Sequence, residues 1–178
     1  NPDTIDKLFL GGVQVASGTW GSLASSADHT SALITGPGLL NVITPPPADP
    51  YLAWINATWP SLSDKTPTGD PDNDGIANLM EYVLEGGDPS VSTTGTLPTL
   101  DASGANFVFT YYRRAAATGT TQTFEYGTDL SGWTPLAIPG GAGVTVTPDT
   151  PTTGIDEVKI TVAKGANTEL FGRLKVTK

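Results

Sequence analysis

The sequence predicts a mainly β chain interrupted by a short helical segment, on three observations. From about Leu97 onward apolar residues recur with a period of two, as in Phe107-Val108-Phe109-Thr110-Tyr111-Tyr112, which marks strands with one buried face. With 21 glycines and 15 prolines among 178 residues, turns come at short intervals throughout. Between Asp49 and Gly87, in contrast, the apolar period lengthens to that of a helix. The resulting division is strands over 1–44, a Pro-rich linker with a two-helix loop segment over 45–96, and an antiparallel, Ig-like β-sandwich over 97–178.

In chain order, Ile5, Leu8, Phe9 and Leu10 predict a strand that ends at Gly11-Gly12. Val13 and Val15 follow, then a turn at Ser17-Gly18, a polar loop over 22–31, and strands at Leu33-Ile34 and Leu39 to Ile43. Residues 4–15 and 38–44 are expected to pair in one sheet whose outer edge the chain itself leaves open. Pro45-Pro46-Pro47 is a stiff spacer and the expected domain boundary. Asp49-Pro50 then supplies an N-cap and a proline at the first helical position, and Pro60 ends the helix. Its apolar face is Tyr51, Leu52, Trp54, Ile55 and Trp59, with Trp54 or Trp59 expected against Leu79 and Val83 of the next helix.

The segment from Asp70 to Glu81 matches a twelve-residue calcium loop at every ligand position. Asp70, Asp72 and Asp74 stand at positions one, three and five, and Gly75 at the sharp turn of position six. Ile76 offers its carbonyl at position seven, Asn78 binds at nine directly or through water, and Glu81 closes the loop at twelve. Calcium is a hard cation that takes six to eight oxygens, which accounts for carboxylates crowded this closely. Ile76, Leu79, Met80, Val83 and Leu84 form one face of the exiting helix, which Gly86-Gly87 and Pro89 are expected to end. Lys65 to Gly69 is turn chemistry, so no helix leads into the loop. A loop with only an exiting helix reads as a structural staple rather than a sensor.

Charge separates the two halves. Residues 1–97 carry eleven acidic and two basic side chains, whereas 98–178 carry seven of each. Without a basic patch, nucleic acid is not an expected partner. No apolar run is long enough to span a bilayer, and the absence of cysteine removes disulfide and thiol chemistry. The opening Asn1-Pro2-Asp3 has no leader-like character, and the chain is expected to be part of a longer one.

No catalytic constellation emerges. His29 is the single histidine and falls in a loop of small residues, so no triad forms around it. Glu125, Glu157 and Glu169 are read as outward charges on or beside strands, which leaves no acid/base pair for glycoside chemistry. No phosphate-binding glycine loop is present, and the sequon at Asn56 falls on a helix. Arg113-Arg114 reads as a solvated strand end, with an acidic glycan as the alternative ligand. The chain is therefore expected not to be an enzyme.

Two stretches resemble known families. IDKLFLGGVQVASGTWGS from Ile5 and ALITGPGLLNVIT from Ala32 resemble the closing segment of autotransporter-associated β-strand repeats in large secreted bacterial proteins. That resemblance implies that residues 1–44 are β-solenoid-like strands, the last rung of a longer stack. The runs YLAWI, DPDNDGIANLMEYVLEGGDPS, NFVFTYYRR, FEYGTDLSGWTPL and FGRLKVTK, within 48–178, resemble a C-terminal module of large secreted proteins of Gram-negative bacteria. In it a dockerin- or thrombospondin-type calcium loop precedes a β-sandwich. Together these imply a non-catalytic calcium-binding module of an extracellular or cell-surface protein that anchors or assembles it. Its partners would be other copies of itself, through the N-terminal strands, or the rest of a larger secreted chain. The alternative is a carbohydrate-binding module with Tyr111, Tyr112 or Trp133 as a sugar platform.

Overall fold

In the computed structural model, which describes residues 1–178, the chain divides into two units, Asn1–Ala48 and Asp49–Lys178. The boundary falls just after the Pro45–Pro47 spacer. The loop segment and the C-terminal strands share the second unit. The chain is mainly β, with two helices and several sheets, none of them closed.

The first unit holds β1 (Asp3–Ile5), β2 (Phe9–Leu10), β3 (Val13–Gln14), β4 (Gly18–Gly21), β5 (His29–Thr30) and β6 (Leu40–Val42). Four of these form a mixed sheet in the order β1-β6-β4-β5, with β1–β6 and β4–β5 parallel and β4–β6 antiparallel. The expected pairing of 4–15 with 38–44 is therefore limited to β1, where Asp3, Thr4 and Ile5 face Leu40, Asn41 and Val42. Phe9-Leu10 instead folds back on Val13-Gln14, because Gly11 and Gly12 both take the positive φ of a two-residue hairpin turn, +59° and +84°. Leu33-Ile34 is not a strand. Ser31 closes a local turn there, accepting the Leu33 N–H on its hydroxyl (3.2 Å) and the Ile34 N–H on its carbonyl (3.2 Å), and Leu33 is exposed. Val42 is the one fully buried hydrophobic side chain of this unit, while Phe9, Val13, Leu23, Leu33 and Ile43 face solvent.

In the second unit, α1 (Pro50–Thr58) starts as its sequence dictates, with Asp49 accepting the N–H groups of Tyr51 (3.1 Å) and Leu52 (3.3 Å). The other Asp49 oxygen pairs with Lys178, the last residue of the chain. The helix α2 (Asn78–Val83) is shorter than the apolar run over 76–84 suggests. Leu84 turns extended (φ −69°, ψ 140°) because it bridges to Arg113, and the Glu85 N–H donates to the Tyr112 carbonyl at 3.0 Å. A sheet edge thus captures the backbone where a helix would have continued. The rings of α1 meet Tyr82, Tyr51 edge-on at 5.6 Å and Trp54 at 5.1 Å, and Trp54 and Trp59 pack against the core cluster that contains Leu79 and Val83.

The remaining strands are β7 (Thr99–Asp101), β8 (Asn106–Arg114), β9 (Thr121–Gly127), β10 (Thr134–Ile138), β11 (Val144–Thr147), β12 (Ile155–Ala163) and β13 (Phe171–Thr177). They form two open antiparallel sheets, β10-β9-β13 and β11-β12-β8-β7. The period of two is expressed as expected, with Phe107, Phe109 and Tyr111 of β8 all buried. Phe124 of β9 lies 4.8 Å from Phe109 and 6.3 Å from Phe107, so the two sheets share one core with Val158 and Ile160. The Tyr111 hydroxyl is satisfied within it, donating to Gln122 Oε1 at 2.7 Å.

Candidate metal centre

The loop from Asp70 is shaped by its own amides. Asp74 N–H donates to Asp70 Oδ1 (3.2 Å) and Asp72 Oδ1 (3.1 Å), Gly75 N–H to Asp70 Oδ2 (3.0 Å), and Ile76 N–H to Asp74 Oδ1 (2.8 Å). Such a tight curl needs left-handed backbone at Asn73 (φ +62°) and Gly75 (φ +89°), the latter at the position the motif reserves for glycine. Asp70, Asp72 and Asp74 each offer a carboxylate oxygen within 4.8 Å of the others.

Glu81 and Asn78 of α2 are both fully buried; Glu81 is not part of the close carboxylate group and is joined to Asp74 through Thr93. One oxygen of Glu81 accepts from the Thr93 hydroxyl at 3.0 Å, and the other has no donor. Asp72 Oδ2 and Asn78 Oδ1 are likewise buried without a donor. Burial above all pushes the Glu81 carboxyl up to about 7; the hydrogen bond from Thr93 opposes this, and the charges of Asp72, Asp74 and Asp88 add to it. Burial also raises Asp72, with the neighbouring carboxylates Asp74 and Asp70 acting in the same direction. Buried acceptors without donors, beside mutually repelling carboxylates, are what a hard divalent cation satisfies. An all-oxygen set of this kind could hold calcium and does not suit a metal that prefers nitrogen or sulfur.

Asn78 has a second task that its loop position does not announce. Its Nδ2 donates to the carbonyls of Asp64 (3.0 Å) and Thr66 (2.9 Å), and its N–H to Gly69 (2.8 Å). It clasps the segment that leads into the loop, where no helix exists to do so. Tyr51 adds to that clasp by donating its hydroxyl to the Lys65 carbonyl at 2.9 Å. Burial pushes the Tyr51 phenol up to about 12, so it stays a donor across the physiological range.

Two residues outside the motif complete the site. Thr93 donates its N–H to Asp74 Oδ2 (2.7 Å) and its hydroxyl to Glu81, joining the middle of the loop to its end. Arg114 of β8, read from the sequence as solvated, is instead folded under α2. Its Nη1 donates to the carbonyls of Glu81 (2.7 Å) and Tyr82 (3.1 Å), its Nη2 to Gly87 (2.6 Å), and its guanidinium lies 5.3 Å from the Trp54 ring. The last turn of a helix lacks intrahelical donors for its carbonyls, and the half-buried Arg114 supplies them here. Gly87 must be glycine for this approach, since a Cβ there would stand 2.3 Å from the Glu81 carbonyl oxygen. Arg113 is not solvated either, forming an ion pair with Asp156 at 3.1 Å.

The other candidates fall elsewhere. His29 is not in a loop: it belongs to β5 and stacks on Trp20, ring centroids 4.8 Å apart. Glu125 is mostly buried rather than outward, held by Arg173 (2.7 Å) and Lys175 (3.2 Å), and the Arg173 hydrogen bond keeps its carboxyl below the usual range. Of the rings proposed for sugar, Tyr111 is buried, and Trp133 is covered by the Arg173 guanidinium at 4.1 Å; Tyr112 is exposed. Comparison with family models, curated proteins and solved structures gives no match to this chain.

Proposed function

We propose that this chain is a non-catalytic module in which one calcium ion staples an α-helical segment to a β-sandwich. Asp70, Asp72, Asp74 and Glu81 would hold it through carboxylate oxygens, Ile76 through its carbonyl and Asn78 through Oδ1 or a water. The observation that carries this reading is the fully buried Glu81, with one carboxylate oxygen that has no protein donor, at the end of an acidic loop. The ion would supply charge neutralisation and cross-linking. The Arg114 contacts to Glu81 and Tyr82 support a structural role, because they lead from the loop into the sheet and not to a surface that calcium could expose.

The two antiparallel sheets fit an Ig-like sandwich, and the parallel β1–β6 pairing fits a solenoid-like rung. Exposed Phe9, Val13, Leu33 and Ile43, together with the edge strands β1 and β5, support a role in anchoring or assembly through the N-terminal unit. The reading of an extracellular or cell-surface location follows from the two sequence resemblances. Burial of Tyr111 and coverage of Trp133 favour this role over carbohydrate binding. Calorimetric titration of the chain with calcium tests the proposal. It should give one site per chain, lost in Asp72→Ala, and the absence of any binding at millimolar calcium would refute it.

A further inference from the structure

Thr93 lies outside the twelve-residue motif, on the segment that leaves α2, turns at Asp88 and reaches the 3-10 turn Thr94–Thr96. The turn at Asp88 is closed locally, its carboxylate accepting from the Ser90 N–H (2.9 Å) and hydroxyl (2.6 Å). Thr93 in turn anchors the next few residues, accepting the Thr96 hydroxyl (2.8 Å) and N–H (2.8 Å) on its carbonyl. Its own two donors go to a carboxylate in the middle of the loop and to the one at its end, Asp74 Oδ2 at 2.7 Å and Glu81 Oε1 at 3.0 Å. Each carboxylate thereby has one oxygen fixed by the same residue. The second Glu81 oxygen, fully buried and without a donor, is left in a set orientation.

We propose that Thr93 is a positioning residue of a divalent-cation site, and that cation binding in turn docks the segment 88–96 onto the loop. The inference rests on the calcium reading above. Two carboxylates brought together without an intervening donor repel each other and rotate freely. A single threonine that donates to both restrains the repulsion and selects the rotamers from which the remaining oxygens can converge. A carboxylate oxygen that accepts a hydrogen bond keeps a lone pair for a metal, so Thr93 does not compete with the ion. Groups of this kind around a metal site contribute about 10- to 100-fold to affinity. The coupling is reciprocal: whatever Thr93 adds to cation affinity, the cation returns as docking of residues 88–96.

Calcium titration of the full chain as wild type, Thr93→Val and Thr93→Ser tests this, with far-UV circular dichroism as the folding control. Valine keeps the shape and the N–H but removes the hydroxyl, and is expected to weaken calcium binding by roughly 10-fold or more. Serine restores the donor and is expected to keep wild-type affinity. Hydrogen exchange on the wild type gives a readout that needs no variant: amides over 90–96 should gain protection with calcium and lose it with chelator. Wild-type affinity in Thr93→Val, or exchange over 90–96 that ignores calcium, would overturn the inference while leaving the calcium site standing. A wild type that binds no calcium at all would remove both.

Discussion

Chelating calcium from the intact chain is expected to lower the melting temperature of the 49–178 unit by on the order of 10–15 °C. The estimate follows from linkage: a ligand at about a thousand times its Kd stabilises by about 4 kcal/mol, and a domain of this size loses roughly 3–4 °C per kcal/mol. The physical origin is the cluster itself. Without a cation, Asp70, Asp72 and Asp74 repel one another within 4.8 Å, and Glu81 must be buried either charged and uncompensated or protonated. Unfolding relieves both penalties. Asp72→Ala should reproduce the chelator effect, and adding chelator to that variant should then change nothing. Differential scanning calorimetry with and without chelator measures this, and an unchanged transition would count against a stapling role.

Replacement of Arg114 by alanine is expected to destabilise the same unit by about 3 kcal/mol or more, since hydrogen bonds to charged groups contribute roughly 1.5–3 kcal/mol and three carbonyls lose their donor. Those carbonyls belong to Glu81, Tyr82 and Gly87, so the damage falls where α2 meets β8. Arg114→Lys should recover only part of the loss, because an ammonium cannot reproduce the planar fork that reaches separate carbonyls at once. Denaturant unfolding of the three proteins in saturating calcium gives the comparison. A loss below about 1 kcal/mol for alanine would place Arg114 among surface arginines.

How much of this was legible in the sequence depends on how far apart the partners lie. The clustering of Asp70, Asp72 and Asp74 and the left-handed turn at Gly75 could be read because they are local and fixed in spacing. The same holds for the cap at Asp49-Pro50 and for Phe107, Phe109 and Tyr111, whose alternation alone assigns them to one face. Arg113 and Arg114 could not be placed, because a charge at a strand end looks the same whether it meets water, Asp156 or the carbonyls of α2. Thr93 carried no signal in the run Ser92-Thr93-Thr94. The one available hint was Gly86-Gly87 with Asp88-Pro89, which turns the chain back toward the loop. Tyr82 was overlooked because an apolar stripe describes a helix with one wet face, and α2 is buried on nearly all sides. Leu33-Ile34 shows the opposite error: apolar residues make a strand only where a neighbouring backbone offers partners, and Ser31 bonds that segment to itself.

The most direct test of the central claim is a crystal structure of the chain grown in millimolar calcium. The account predicts one ion in the loop, with oxygens of Asp70, Asp72, Asp74 and Glu81 and the Ile76 carbonyl at about 2.3–2.6 Å, and with Arg114 still bonded to the Glu81 carbonyl. A well-ordered loop that stays free of metal under those conditions would contradict it.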